Sequence, residues 1–228
     1  MKLAIAPDLV GKLRIGVLRL EGIAPPRDGG DALWGDILSR SEEIAARYRG
    51  TSTGDVPGVQ ETRSLYRSVG LDPTKTRPSS EALLRRAVKG RGLYRIHPLV
   101  DLVNLVSLES LLSVGLYDED RIDGDVVTVR LGEIGWSFEG IRRGRINVAG
   151  RLCVADGSGP FGSPTADSLR TSIRGDVVRA LAVFFQPLSG DTERLRRVLD
   201  RAEALAAIHL GARAAAKAVV EGRAEGGC

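Results

Sequence analysis

Along residues 97–112, His97-Pro-Leu-Val-Asp-Leu-Val-Asn-Leu-Val-Ser-Leu-Glu-Ser-Leu-Leu112, apolar side chains take nearly every position, and polar ones recur at Asp101, Asn104, Ser107 and Ser110. A spacing of three sets those four on one slanting stripe of a helix that is otherwise apolar all round, the mark of a buried helix. A buried polar group without a partner costs about 1–3 kcal/mol, so neighbouring backbone or a bound ligand must satisfy the stripe.

The same pattern reading predicts the flanking elements. β-Branched and alternating apolar positions over residues 1–24 predict one or two strands, ending at Gly22 and Pro25-Pro26. Helical spacing of Leu33, Ile37, Leu38, Ile44, Ala45 and Tyr48 predicts a helix over 31–49, and a second is expected over 57–69. Ser79 or Ser80 is expected to cap a third helix whose first turn holds Glu81. Beyond Gly115 the pattern shortens to strands over 126–131, 146–154 and 177–185. Residues 156–171, rich in Gly, Pro and hydroxyls, read as a long loop, and an Arg- and Ala-rich helix is expected over 191–220. Helices followed by strands indicate an α+β fold, here one domain over 1–220 with 221–228 as a frayed tail.

Composition adds little to this. The 228 residues are 43 % hydrophobic and 27 % charged, as in an ordinary globular protein. Pro7 and Asp8 interrupt any signal-peptide core and no apolar run suffices to cross a bilayer, so a cytoplasmic protein without membrane contact is expected. Cys153 and Cys228 form no disulfide framework, no metal-ligand spacing is present, and no cofactor is implied.

Charge sharpens the picture more. The net charge is +4, and 28 Arg stand against 5 Lys. Arginine's planar fork suits phosphate, although a GC-rich genome produces the same bias. Arg85, Arg86, Lys89, Arg91 and Arg95, and Arg142, Arg143 and Arg145 with Arg151, form local basic clusters of the kind that contact nucleic acid, and also of the kind that solvate helix surfaces. His97, just before the polar-striped helix, would be held neutral by the helix N-terminus and is either a binding residue or an ordinary loop residue. His209 reads as a surface residue. With two histidines and no placed partner for either, a Ser-His-Asp arrangement is not expected.

The order of motifs carries more than any one of them: Lys75-x-x-Pro78-Ser79-Ser80-Glu81-Ala82-Leu83-Leu84-Arg85-Arg86, Ile96-His-Pro-Leu-Val-Asp-Leu-Val-Asn104, Tyr117-Asp118, Asp120-Arg121-Ile122-x-Gly124-x-x-Val127, Val154-Ala155-Asp156 and Phe184-Phe185-x-Pro187. Over about residues 60–190 this resembles the B3/B4 domain of the phenylalanyl-tRNA synthetase β subunit, and more closely the freestanding B3/4 proteins that lack the rest of the synthetase. The resemblance implies an α+β fold of that type, a pocket between its helical and strand parts, and an aminoacyl-tRNA-like substrate. In the synthetase the domain hydrolyses the ester of tyrosine wrongly attached to tRNA.

The family's pocket Asn is kept as Asn104, while its neighbouring Thr is Val103, its editing His falls on Gly115 and its pocket Glu on Leu181. Tyrosine editing is therefore not carried over. The expectation is instead an editing-like deacylase acting in trans on a mischarged or non-cognate aminoacyl-tRNA, or a non-catalytic tRNA- or amino-acid-binding module. For the first, Asn104 and backbone N–H groups near Gly115 are the oxyanion or positioning candidates and Asp167 orients water or grips the amine. Ser107, Ser163, Ser168, Arg170, Thr171 and His97 are the substrate-binding candidates. Arg85, Arg86, Lys89, Arg142 and Arg143 are the tRNA-binding candidates.

Overall fold

The computed structural model describes residues 1–141 and 144–222. Among these, strands β1 (Lys2–Ile5) and β2 (Leu13–Glu21) precede helices α1 (Asp31–Arg47), α2 (Pro57–Ser68), α3 (Ser79–Val88) and α4 (Pro98–Ser110). Strands β3 (Ser113–Asp118), β4 (Val126–Leu131), β5 (Ser137–Gly140), β6 (Gly144–Asn147), β7 (Leu152–Asp156), β8 (Gly159–Ser163), β9 (Ala166–Asp167) and β10 (Arg179–Pro187) follow, then α5 (Thr192–Leu210) and β11 (Arg213–Glu221). The fold is α+β.

Three layers result from the two-residue period of the central strands. An antiparallel sheet ordered β11-β2-β10-β3 lies between the helices and a mixed sheet ordered β1-β4-β7-β8-β9. On β10, Ala180, Ala182 and Phe184 enter the core shared with the helices, whereas Leu181, Val183 and Phe185 enter the core between the sheets. On β2, Leu18 and Leu20 divide from Leu13, Ile15 and Val17 in the same way. A sheet covered on both faces must be apolar on both, so these strands are continuous hydrophobic runs.

Three expectations are corrected. The strand anticipated over 146–154 is two strands, β6 and β7, separated by a turn at Gly150 with φ 65°. The loop anticipated over 156–171 contains the hairpin strands β8 and β9, with Gly162 paired to Asp167. The last helix ends at Leu210, because Gly211 adopts the left-handed conformation (φ 62°) that closes a helix. The following Ala-rich segment adds β11 to the edge of β2, from Arg213 opposite Glu21 to Glu221 opposite Arg14. Part of the anticipated tail, residues 223–228, lies outside the described residues.

Candidate active site

α4 is buried on most of its surface, and its stripe divides in two. Asp101 accepts a hydrogen bond from the Ile96 backbone N–H at 2.9 Å and fixes the chain as it enters the helix. Its burial raises its pKa, with the Ile96 and His97 N–H groups opposing. Ser110 Oγ donates to the Val106 carbonyl at 2.7 Å, and Ser107 Oγ to the Leu112 carbonyl at 2.7 Å. Between them Leu111 turns the chain at φ 59°, a left-handed conformation costing about 1–2 kcal/mol for a residue with a Cβ. Thr62 on α2 donates to the Leu111 carbonyl at 2.6 Å and helps hold that turn. Asp101 therefore anchors the start of α4, and Ser107 and Ser110 anchor the tight passage from α4 to β3.

Asn104 is the exception. It is half-buried and, among the described residues, its amide makes no hydrogen bond; it faces a cleft of about 750 Å³ between the helices and the β8–β9 hairpin. Val103 and Ser107 of α4, Ser79, Ala82, Leu83 and Arg86 of α3, and Ser163 and Asp167 of the hairpin also line it. Four cationic residues, Lys75, Arg77, Arg86 and Arg151, share the cleft with Asp167 as its carboxyl group. Arg86 packs over the ring of Tyr94, its Cζ 3.7 Å from the centroid, and Tyr94, itself 59 % exposed, forms the rim. Arg77 and Tyr94 carry no signal of their own in the sequence, and nothing in it shows that Lys75 and Arg77, Arg86 and Tyr94, and Arg151, from three stretches of chain, meet at one cleft.

The Ser79 and Ser80 hydroxyls do not cap α3: Pro78 holds the N-cap position, and both hydroxyl oxygens are buried without partners among the described residues. What fixes α3 is Glu81, which accepts from Arg63 of α2 at 2.7 and 2.8 Å and lies 3.5 Å from Arg77. That ion pair raises the Arg63 pKa.

Asp167 lies where the hairpin meets the cleft. Its Oδ1 is buried without a hydrogen-bond partner among the described residues, and burial pushes its pKa up to about 7, opposed by the nearby Tyr117 hydroxyl and Leu116 backbone. Tyr117 Oη is likewise buried and unpaired. The two groups are neighbours close enough to influence each other's ionisation, without a closed hydrogen bond between them.

A model of the B3/4 domain matches residues 61–187, more than half of the chain. The chain belongs to the B3/4 domain family. Solved structures similar to this B3/4 chain include an N-terminal fragment of the phenylalanyl-tRNA synthetase β-subunit from Pyrococcus horikoshii, 10 % identical, with a TM-score of 0.42, the alignment covering 94 % of this chain and 50 % of that one. The chain thus spans half the length of that fragment. No curated protein sequence matches it.

The remaining candidate residues of this B3/4 chain are dispersed. Gly115 pairs with Val183 in the central sheet, and the Tyr117 hydroxyl occupies the space a side chain at 115 would need. Leu181 is fully buried between the sheets. Ser163 Oγ, although at the cleft, bonds Thr165 and Ala166 of its own turn.

Ser168, Arg170 and Thr171 point their polar groups into the protein instead of the cleft. Ser168 Oγ accepts from the Arg170 N–H, and Arg170 grips Asp156 through two 2.8 Å hydrogen bonds. Thr171 is buried, and its carbonyl accepts from the Asp118 N–H. His97 caps α4, its Nδ1 accepting from the Leu99 N–H at 3.2 Å, and burial lowers its pKa. It faces a separate recess formed with Pro25, Pro26 and Leu210. His209 is half-buried, not a surface residue, with Nε2 3.2 Å from Asp36. Arg85 and Lys89 line a groove on the far side of α3, with Thr51, Ser52 and Thr53. Arg142 and Arg143 lie outside the described residues. No helix among the described residues is long and apolar enough to cross a membrane, and no metal-ligand cluster is found among them.

Proposed function

We propose that this B3/4 protein is a freestanding, cytoplasmic deacylase that acts in trans on mischarged or non-cognate aminoacyl-tRNA, hydrolysing the ester in the cleft between α4 and the β8–β9 hairpin. The observation that carries this reading is a buried carboxyl group, Asp167, with a pKa near 7, at a cleft lined by Lys75, Arg77, Arg86 and Arg151. A general base works best when its pKa lies near the working pH. The cations suit the phosphates of an RNA 3′ end, and Tyr94 with Arg86 offers a surface on which a base stacks.

An aminoacyl ester is already activated, so a placed water and a stabilised oxyanion suffice. Ionised Asp167 takes a proton from water as its oxygen attacks the ester carbonyl. The Asn104 amide, which makes no hydrogen bond among the described residues, donates to the developing oxyanion. Collapse of the tetrahedral intermediate breaks the bond to the ribose oxygen, which recovers the proton from Asp167, leaving the free amino acid and uncharged tRNA. No nucleophilic side chain is involved.

Incubation with a panel of aminoacyl-tRNAs tests the proposal. At least one ester is expected to be cleaved faster than it hydrolyses spontaneously, with Asp167→Asn lowering that rate by about 10²–10⁴-fold. Binding of uncharged and charged tRNA without cleavage of any ester would leave the non-catalytic binding module as the correct reading.

A further inference from the structure

Tyr117 is built into the sheet interface in a way that its ring alone does not explain. The ring meets Phe161 edge-on, with centroids 4.7 Å apart and planes at 90°. The hydroxyl lies between Gly115 on its own strand and Gly162 on β8, and a Cβ at either position would overlap it. Gly162 is the register partner of Asp167 in the hairpin, and β3 packs against β9, so this slot ends beside the Asp167 carboxyl. Two glycines thus admit an oxygen that has no hydrogen-bond partner among the described residues, in a site where phenylalanine would leave none unsatisfied.

We propose that Tyr117 is a positioning residue for Asp167: the two-glycine slot aims the phenol O–H at the carboxyl group, and the hydrogen bond closes when Asp167 ionises. The inference rests on Asp167 as the base of the reaction proposed above, and it names the residue that sets when this base is available. Burial and the adjacent carboxyl group hold the Tyr117 pKa well above its ordinary value, so the phenol remains a donor throughout the working range. The other groups facing the pair leave it this role. On β7, Cys153 is a buried thiol whose pKa burial pushes up to about 12, so it stays neutral. Leu181 and Val183 of β10 are apolar. Across the cleft stand the cations Lys75, Arg77, Arg86 and Arg151, whose field favours the same ionised state.

The test compares four full-length proteins, wild type, Tyr117→Phe, Asp167→Asn and the double variant, by urea unfolding between pH 4 and 9. The pH dependence that Asp167→Asn removes reports the midpoint of Asp167 ionisation in the folded protein. Tyr117→Phe is expected to move that midpoint up by about one pH unit or more, because the ionised form loses its hydrogen bond. In the Asp167→Asn background the effect of Tyr117→Phe should not vary with pH. An unmoved midpoint, or a pH-dependent Tyr117→Phe effect that survives Asp167→Asn, would overturn the proposal. The unfolding measurement uses no ester, so its outcome is separate from that of the hydrolysis assay. Where hydrolysis is observed, its pH–rate midpoint should move in parallel, whereas a purely structural tyrosine would lower the rate equally at every pH.

Discussion

Burial holds Asp167 in its neutral form, and this links stability to pH with a sign opposite to that of most carboxylates. In the unfolded chain the group ionises near 3.8, and in the folded protein near 7. Between those values only the unfolded state releases its proton, so folding loses stability as pH rises from about 4 to about 7, and the loss is constant above. The separation corresponds to roughly 4 kcal/mol. Asp167→Asn should match wild type below pH 4, gain a growing stability advantage up to pH 7, and hold it beyond; denaturant titrations across that range check this. An advantage that shrank as pH rose would contradict the assignment. Asn104 was legible at this scale because a polar side chain on an apolar helix demands a partner. Tyr117 was not, since its slot is made by Gly115 two residues away and by Gly162 from another sheet.

Between elements, the cleft depends on α3 being held in place, and one ion pair does much of that. Glu81 is 2 % exposed and accepts both its close hydrogen bonds from Arg63. Arg63→Met leaves that carboxylate with only the more distant Arg77, and destabilisation of about 3 kcal/mol is expected in a urea titration. A loss below 1 kcal/mol would mean that other contacts hold α3. The end of α5 gives a second check: Gly211→Ala places a Cβ at φ 62° and should cost about 1 kcal/mol in the same measurement. The helices were legible because their period and their terminating glycines are local signals. β11 was not, because alanine favours helix locally while the partner that makes a strand of it, β2, lies near the other end of the chain. The β8–β9 hairpin was missed for a related reason: β9 is only two residues long and its turn is held by Ser163, which gives no alternating pattern to read.

Across the whole molecule, the central sheet separates two cores, and the helices and the mixed sheet that flank it supply the two walls of one basic cleft. The α+β class and the location of the cleft between helical and strand parts followed from the motif order. That Lys75, Arg77, Arg86 and Arg151 converge on one wall did not, because chain separation hides it, although Arg86 and Arg151 stood out singly as members of basic clusters. If the cleft holds RNA phosphates, tRNA affinity should fall steeply with salt, and Lys75→Ala with Arg151→Ala should flatten the slope of log affinity against log salt by about one to two. A slope unchanged by these substitutions would place the RNA elsewhere on the surface. The most direct test of the central claim is single-turnover hydrolysis of a responsive aminoacyl-tRNA by wild type and Asp167→Asn from pH 5 to 9, corrected for spontaneous hydrolysis. The wild-type rate should rise to a plateau with a midpoint near 7, and Asp167→Asn should be slower by about 10² or more at the plateau. Equal rates for the two proteins across that range would contradict a catalytic role for Asp167.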